Sequence, residues 1–231
     1  MPPAAEVFEL ALEEGSVTAL WQQPGSPPRG SAVLLAHGAG APPDSPFMES
    51  VASGLVQRGH PVLRFHYPYM ERIRREGGRR PPDRAPVLLA AHRAALAELE
   101  RRAGGRRVVL AGKSLGGRMA SLLAAEGCRC DGLAFFGYPL HPAKKPEKLR
   151  SEHFPAIAQP ALFLQGTRDA LCDLELLRRE LETFGGVTRL VLVEDGDHDF
   201  QVRRSSGRTR EEVLGELVRA FVEWEEASSP D

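Results

Sequence analysis

The chain has 231 residues, 42% of them hydrophobic and 26% charged, with a formal net charge of −1. That apolar share excludes a disordered chain, and the length suits one α/β domain spanning 1–231. The balanced charge gives no electrostatic reason to bind nucleic acid or an anionic membrane surface.

In chain order, VFELAL (7–12) and VTALW (17–21) flank Glu14-Gly15-Ser16 and predict an antiparallel hairpin over about 6–22. A Pro/Gly/Ser segment at 24–31 predicts a loop. Short apolar runs at 32–36, 61–65, 107–111, 132–136, 161–165 and 189–193 predict strands buried on both faces. Between them, 46–58, 84–102, 115–126, 173–184 and 209–226 carry apolar positions near a 3.6-residue period and predict helices. Asp173 is the expected N-cap of the fourth helix, with Glu175 supporting its first turn. The alternation implies an α/β fold: a mostly parallel central sheet with helices on both faces. The terminal ASSPD (227–231) is expected to fray.

Residues 71–84 stand apart, with six arginines against three acids. A charge run predicts a solvated loop. It follows a strand, however, so it falls at the carboxyl edge of the sheet, where α/β proteins bind ligands. Its arginines are therefore also candidates for attracting an anionic substrate.

The three cysteines fit a reducing, cytoplasmic setting better than a disulfide framework. Cys128 and Cys130 are too close for a zinc knuckle, and Cys172 is isolated, so no metal is expected. No apolar run approaches the roughly 18 residues of a membrane span. The N-terminus lacks the basic start of a secretory signal.

Chemistry concentrates at RVVLAGKSLGG (107–117). Gly112-x-Ser114-x-Gly116 between a strand and a helix has the spacing of a nucleophile elbow. So sharp a turn strains the serine backbone and demands glycine two residues to either side. The serine oxygen then projects from the sheet edge, and the Leu115 amide and helix dipole face a developing oxyanion. The bland alternative is a glycine-rich turn with an idle serine. A P-loop is excluded because position 107 is Arg, and a dinucleotide fingerprint at Gly38-x-Gly40 fails at Pro43, so no cofactor is expected.

A serine hydroxyl needs a base. Of seven histidines, His198 in EDGDHDF (194–200) directly follows the last predicted strand and is the candidate. Asp169, after the strand ALFLQ, is the candidate acid, with Asp173 as the alternative. The order Ser114, Asp169, His198 agrees with serine–acid–histidine order on α/β scaffolds. In HGAG (37–40), Ala39 supplies the second candidate oxyanion amide, and His37 reads as a main-chain-bonding structural residue.

Together HGAG, RFHYPY (64–69), GKSLGGRMAS (112–121), GYPLHP (137–142), KPEKLR (145–150), LQGTRD (164–169) and GDHDF (196–200) resemble the dienelactone-hydrolase-like α/β-hydrolases. They most resemble the branch containing the testis-expressed α/β-hydrolase-like protein and the third regulatory subunit of the NSL histone-acetyltransferase complex. The resemblance runs from about 31 to 225. It implies the α/β-hydrolase fold, with Ser114 as nucleophile, Asp169 as acid and His198 as base. Dienelactone hydrolases carry cysteine where Ser114 stands, so lactone chemistry is not implied. The short connection between the strands at 132–136 and 161–165 leaves no room for a helical cap. Arg64, Tyr67, Tyr69, Tyr138 and His141, at strand ends, are candidate substrate contacts. The expected function is a serine hydrolase of a small ester or thioester. The alternatives are a weakly catalytic or non-catalytic interaction module and a protein taking anionic, including phosphorylated, substrates. No oligomeric state is specified.

Overall fold

Gly15, at φ 81°, turns the strand Glu6–Ala11 (β1) back onto Ser16–Gln22 (β2) as the expected antiparallel hairpin. The structure, a computed structural model, describes residues 3–228. Six further strands follow: Ala32–Ala36 (β3), Val62–Phe65 (β4), Val108–Lys113 (β5), Gly132–Phe136 (β6), Ala161–Gly166 (β7) and Thr188–Val193 (β8). They form one sheet in the order β1-β2-β4-β3-β5-β6-β7-β8. β2 is antiparallel to both its neighbours, and every pairing from β4 to β8 is parallel, so β2 alone runs against the rest.

The helices are Pro46–Gln57 (α1), Pro68–Glu76 (α2), Ala85–Ala103 (α3), Leu115–Ala125 (α4), Leu174–Leu181 (α5) and Arg210–Ala227 (α6). The two-residue period of the strands divides the core. Ala32, Leu34 and Ala36 of β3 join Leu133 and Phe135 of β6 under α2, α3, α4 and α5. Val33 and Leu35 join Ala134 and Phe136 under α1 and α6. Each fully buried Leu or Phe in these layers contributes roughly 1.5–3 kcal/mol. This is the α/β-hydrolase fold expected from the strand and helix pattern. Of the segment expected to fray, Ala227 ends α6 and Ser228 caps it, and 229–231 lie outside the described residues. No helix among the described residues is long and apolar enough to cross a membrane.

Capping explains several helix starts. Asp173 accepts from the Glu175 and Leu176 amides at 3.0 Å, as expected. Thr209 and Glu212 form a reciprocal capping box on α6. α1, α2 and α3 each begin with proline at the first or second position, where its missing amide is no loss.

The segment 71–84 departs from the expected loop. Its residues 71–76 belong to α2, started by Pro68 and ended at Gly77, which sits at φ 75°. Tyr69, Met70 and Glu71 are buried. The high charge density hid this amphipathic turn because four of the six arginines are satisfied locally. Arg74 and Arg75 donate to Glu71 at 2.6 Å, Arg72 pairs with Asp83, and Arg80 pairs with Glu76.

Glu71 joins α2 to the sheet by accepting from the Thr18 amide of β2 at 3.0 Å. Burial pushes its carboxyl up, but Arg74, the Thr18 amide and Arg75 outweigh burial and hold it at about 2. A carboxyl held low in the folded chain adds stability above its unfolded value of about 4.3, and that stability is lost as pH falls through the folded value. Thermal melts of Glu71→Gln are therefore expected to show a lower Tm than wild type at pH 7. The gap should narrow as the pH drops from about 4.3 towards 2.

Candidate active site

With β3 to β8 parallel, the loops that follow them leave the same edge of the sheet. His37–Gly40 follows β3, Ser114 follows β5, Asp169 lies beyond β7 and His198 beyond β8. The topology thus assembles residues that are up to 161 positions apart in the chain.

Ser114 occupies φ 50°, ψ −112° between β5 and α4. It is one of four non-glycine residues at positive φ among those described, which is a strained conformation for a serine. Backbone crowding holds the turn. A Cβ on Gly112 would lie 2.3 Å from the main chain of Gly116 and Gly117. A Cβ on Gly116 would lie 2.3 Å from the Ala36 carbonyl oxygen. Both glycines are therefore required, but for different reasons: the first admits the helix, and the second lets that helix rest on the end of β3.

His198 Nε2 lies 2.8 Å from Ser114 Oγ, and His198 Nδ1 lies 2.7 Å from Asp169 Oδ2. The carboxylate requires a proton on Nδ1, which leaves Nε2 as acceptor for the serine hydroxyl. Asp169 is 6% exposed and fully satisfied. Oδ2 also accepts from Gln165 Nε2 at 2.6 Å, and Oδ1 accepts from the Leu171 amide at 2.8 Å. The latter is an Asx-type turn, so that turn and the histidine contact coexist. Asp173, the alternative acid, caps α5 instead. The amides of Ala39 and Leu115 donate to no acceptor among the described residues.

His37 is fully buried and bonds main chain, as expected. Its Nδ1 donates to the Gly38 carbonyl at 2.7 Å, and its Nε2 accepts from the Tyr67 amide at 3.1 Å. Burial lowers its pKa to about 4, so it is neutral at pH 7.

The structure places the five candidate substrate contacts elsewhere. Tyr67, Tyr69 and Tyr138 are 0% exposed, and none of the five borders the cavity at Ser114. Tyr67 OH meets His92 Nδ1 at 3.1 Å. Tyr69 OH donates to the Gly38 and Ala39 carbonyls at 3.3 and 3.1 Å, fixing the HGAG loop from beneath. Tyr138 OH donates to the Arg150 carbonyl at 2.8 Å. His141 accepts from the Asp173 amide at 2.9 Å, and Arg64 donates to the Pro43 carbonyl at 2.7 Å. The next loop covers each strand end, so these side chains brace loops from below.

The cavity beside Ser114 measures about 380 Å³ and is walled by Gly38–Ala41, Phe47, Met48, Lys113, Leu171, His198 and Asp199. A second cavity of about 570 Å³ meets it at Ala39 and Gly40, and Arg74, Arg79 and Arg80 border it. Sequence reasoning missed Phe47, Met48, Leu171, Gln165 and Lys113. The last two carried a signal, because each is a polar residue inside an apolar strand that is buried on both faces. The three cysteines are free thiols, and no cluster among the described residues has the donors to hold a metal.

A family model described as an alpha/beta hydrolase domain matches residues 29–226. Solved structures share the fold. A dienelactone hydrolase from Anabaena variabilis is 22% identical, with TM-score 0.75 over 97% of each chain. An alpha-beta serine hydrolase homologue from Coxiella burnetii is 18% identical, with TM-score 0.74 over 95% of this chain and 98% of that one. A lidless α/β serine hydrolase from Xanthomonas campestris is 20% identical, with TM-score 0.70 over 100% of this chain and 99% of that one.

The crowding at the turn makes a matched pair of substitutions informative. Gly116→Ala forces backbone apart and is expected to lose about 3 kcal/mol or more in urea unfolding. At Gly40 a Cβ meets nothing within 4 Å, so Gly40→Ala should stay within about 0.5 kcal/mol of wild type.

Proposed function

Because the chain belongs to the alpha/beta hydrolase domain family, we propose that it is a serine hydrolase cleaving a small ester or thioester. The observation that carries this reading is the unbroken line of contacts from Ser114 Oγ through the His198 ring to the buried Asp169 carboxylate, at 2.8 and 2.7 Å. Ser114 loses its proton to His198 Nε2 as Oγ attacks the carbonyl carbon. The resulting oxyanion is held by the Ala39 and Leu115 amides, with the start of α4 adding its dipole. His198 returns the proton to the departing alcohol or thiol. Water, deprotonated by the same nitrogen, then releases the acyl group and restores the serine. Asp169 keeps the imidazole in one tautomer and stabilises its cationic form.

The cavity supports the size class. Phe47, Met48 and Leu171 give an apolar wall within reach of the nucleophile, and about 380 Å³ suits a short acyl chain. A second reading, a preference for anionic esters, is favoured by the arginine-bordered cavity meeting the first at Ala39 and Gly40. Arg79 has no ion-pair partner among the described residues. The motifs at 64–69 and 137–142 support a place within the family near the branch of the testis-expressed protein and the NSL subunit. The free thiols support a cytoplasmic setting.

A fluorophosphonate probe is expected to label wild type and not Ser114→Ala. p-Nitrophenyl acetate and butyrate should turn over faster than the decanoate. Asp169→Asn should lower kcat on the order of 10⁴-fold by disturbing the tautomer. Absence of Ser114-dependent labelling removes the hydrolase reading, and labelling without turnover of any ester favours the interaction module. A higher kcat/KM for hemisuccinate esters, reduced by salt and by Arg79→Ala, establishes the anionic preference.

A further inference from the structure

Lys113, the residue directly before Ser114, has a side chain only 8% exposed. Its Nζ donates to the main-chain carbonyl of His198 at 2.6 Å and lies 3.5 Å from Asp199 Oδ1. The rings of Phe47 and Phe200, stacked with centroids 6.0 Å apart, each centre 5.9 Å from the ammonium. Burial disfavours the charge and lowers its pKa, opposed first by Asp199 and then by Asp169.

The loop it reaches needs external support. Phe200 holds φ 57°, which a bulky side chain adopts only when its surroundings impose it, and Asp195 turns the chain at φ 58°. The other anchors grip the flanks of His198. Asp197 Oδ1 accepts from the Asp199 and Gln201 amides at 2.9 Å, Thr167 Oγ1 accepts from the Asp195 amide at 2.8 Å, and the Gly196 carbonyl accepts from the Arg168 amide at 2.8 Å. Among the described residues, Lys113 makes the one hydrogen bond to the His198 main chain. It makes that bond from the strand whose next residue is the nucleophile. A single side chain thus joins the backbone segments that carry Ser114 and His198.

We propose that Lys113 is a positioning residue, setting the imidazole against the serine hydroxyl through the main chain of the histidine loop. The proposal rests on the serine-hydrolase reading and adds a residue to it. Stability alone gives no reason for an ammonium here. A methionine of similar length fills the same space beside Phe47 and Phe200 without desolvating a charge. Proton transfer, by contrast, depends steeply on geometry, and a shift of about 1 Å costs up to about 100-fold in rate.

Lys113→Met tests this. Its kcat is expected to fall about 10- to 100-fold with KM within about twofold, because the misplacement acts in the transition state and not on substrate binding. Its Tm should stay within about 4 °C of wild type, the lost bond to the His198 carbonyl being offset by the charge no longer desolvated, and Lys113→Arg, which keeps a cationic donor, should recover part of kcat. An unchanged kcat overturns the proposal. So does a lowered Tm with kcat and KM impaired together, which marks a packing role. Wild type and Ser114→Ala measured in parallel separate this from failure of the hydrolase reading, since only that failure abolishes Ser114-dependent turnover in wild type. Amide hydrogen exchange supplies a readout independent of activity. Faster exchange over 194–201 in Lys113→Met supports the clamp, and unchanged exchange overturns it.

Discussion

At the turn from β5 to α4, main chain touches main chain. Gly112 lies against the first turn of the helix, and Gly116 lies against the last carbonyl of β3. No side chain fits either gap, so the turn has one geometry, and Ser114 is held at φ 50° at its apex. Everything at the carboxyl edge is referred to that fixed point. His198 must reach it from beyond β8, Asp169 must reach His198 from beyond β7, and the loop after β3 must pass beside it. Crowding of this kind is stiffer than a hydrogen bond, because it can relax only by moving a strand or a helix.

The other partners are set by buried polar contacts. Gln165 shows how. It is 0% exposed in β7, its Oε1 accepts from the Tyr138 amide at 2.9 Å, and its Nε2 donates to Asp169 at 2.6 Å. It thereby ties the loop after β6 to Asp169 after β7. On the far side of Ser114, His37 and Tyr69 do the same for the HGAG loop, bonding its carbonyls and leaving the Ala39 amide without an acceptor among the described residues. Leaving any of these buried groups unpartnered would cost about 1–3 kcal/mol, so each network favours one arrangement of its loop.

This division explains what the sequence disclosed. Strands buried on both faces read as short apolar runs, and the elbow reads as two glycines around a serine, because both are local consequences of sterics. The pairing of Ser114, Asp169 and His198 was legible because a parallel sheet sends every strand end to one edge. The roles of Tyr67, Tyr69, Tyr138 and His141 were not. Tyr67 and Tyr138 lie just past strand ends, Tyr69 lies in the first turn of α2 and His141 lies further along the segment after β6. Whether such a side chain lines a cavity or braces a loop depends on how the chain folds back, which has no short-range signature. α2 was hidden for a similar reason. Its core-facing residues are few, and the arginines that obscured them are solvent-facing partners of Glu71 and Glu76.

Lys113 belongs to the same class of concealed feature, and its place in the elbow gives it a consequence the other bracing residues lack. Tyr69 and Gln165 hold one loop against another, whereas Lys113 is covalently adjacent to Ser114, so its reach is measured from the fixed apex of the turn. A bond from that origin to the His198 carbonyl constrains the separation of serine and imidazole directly. The bonds at Asp197 constrain the shape of the loop, and the bond at Thr167 ties the loop to the segment after β7, so neither is measured from Ser114. The loop has two residues at positive φ and would relax if released. Those bonds therefore do not set the separation of Ser114 Oγ and His198 Nε2, and an anchor drawn from the serine's own strand does.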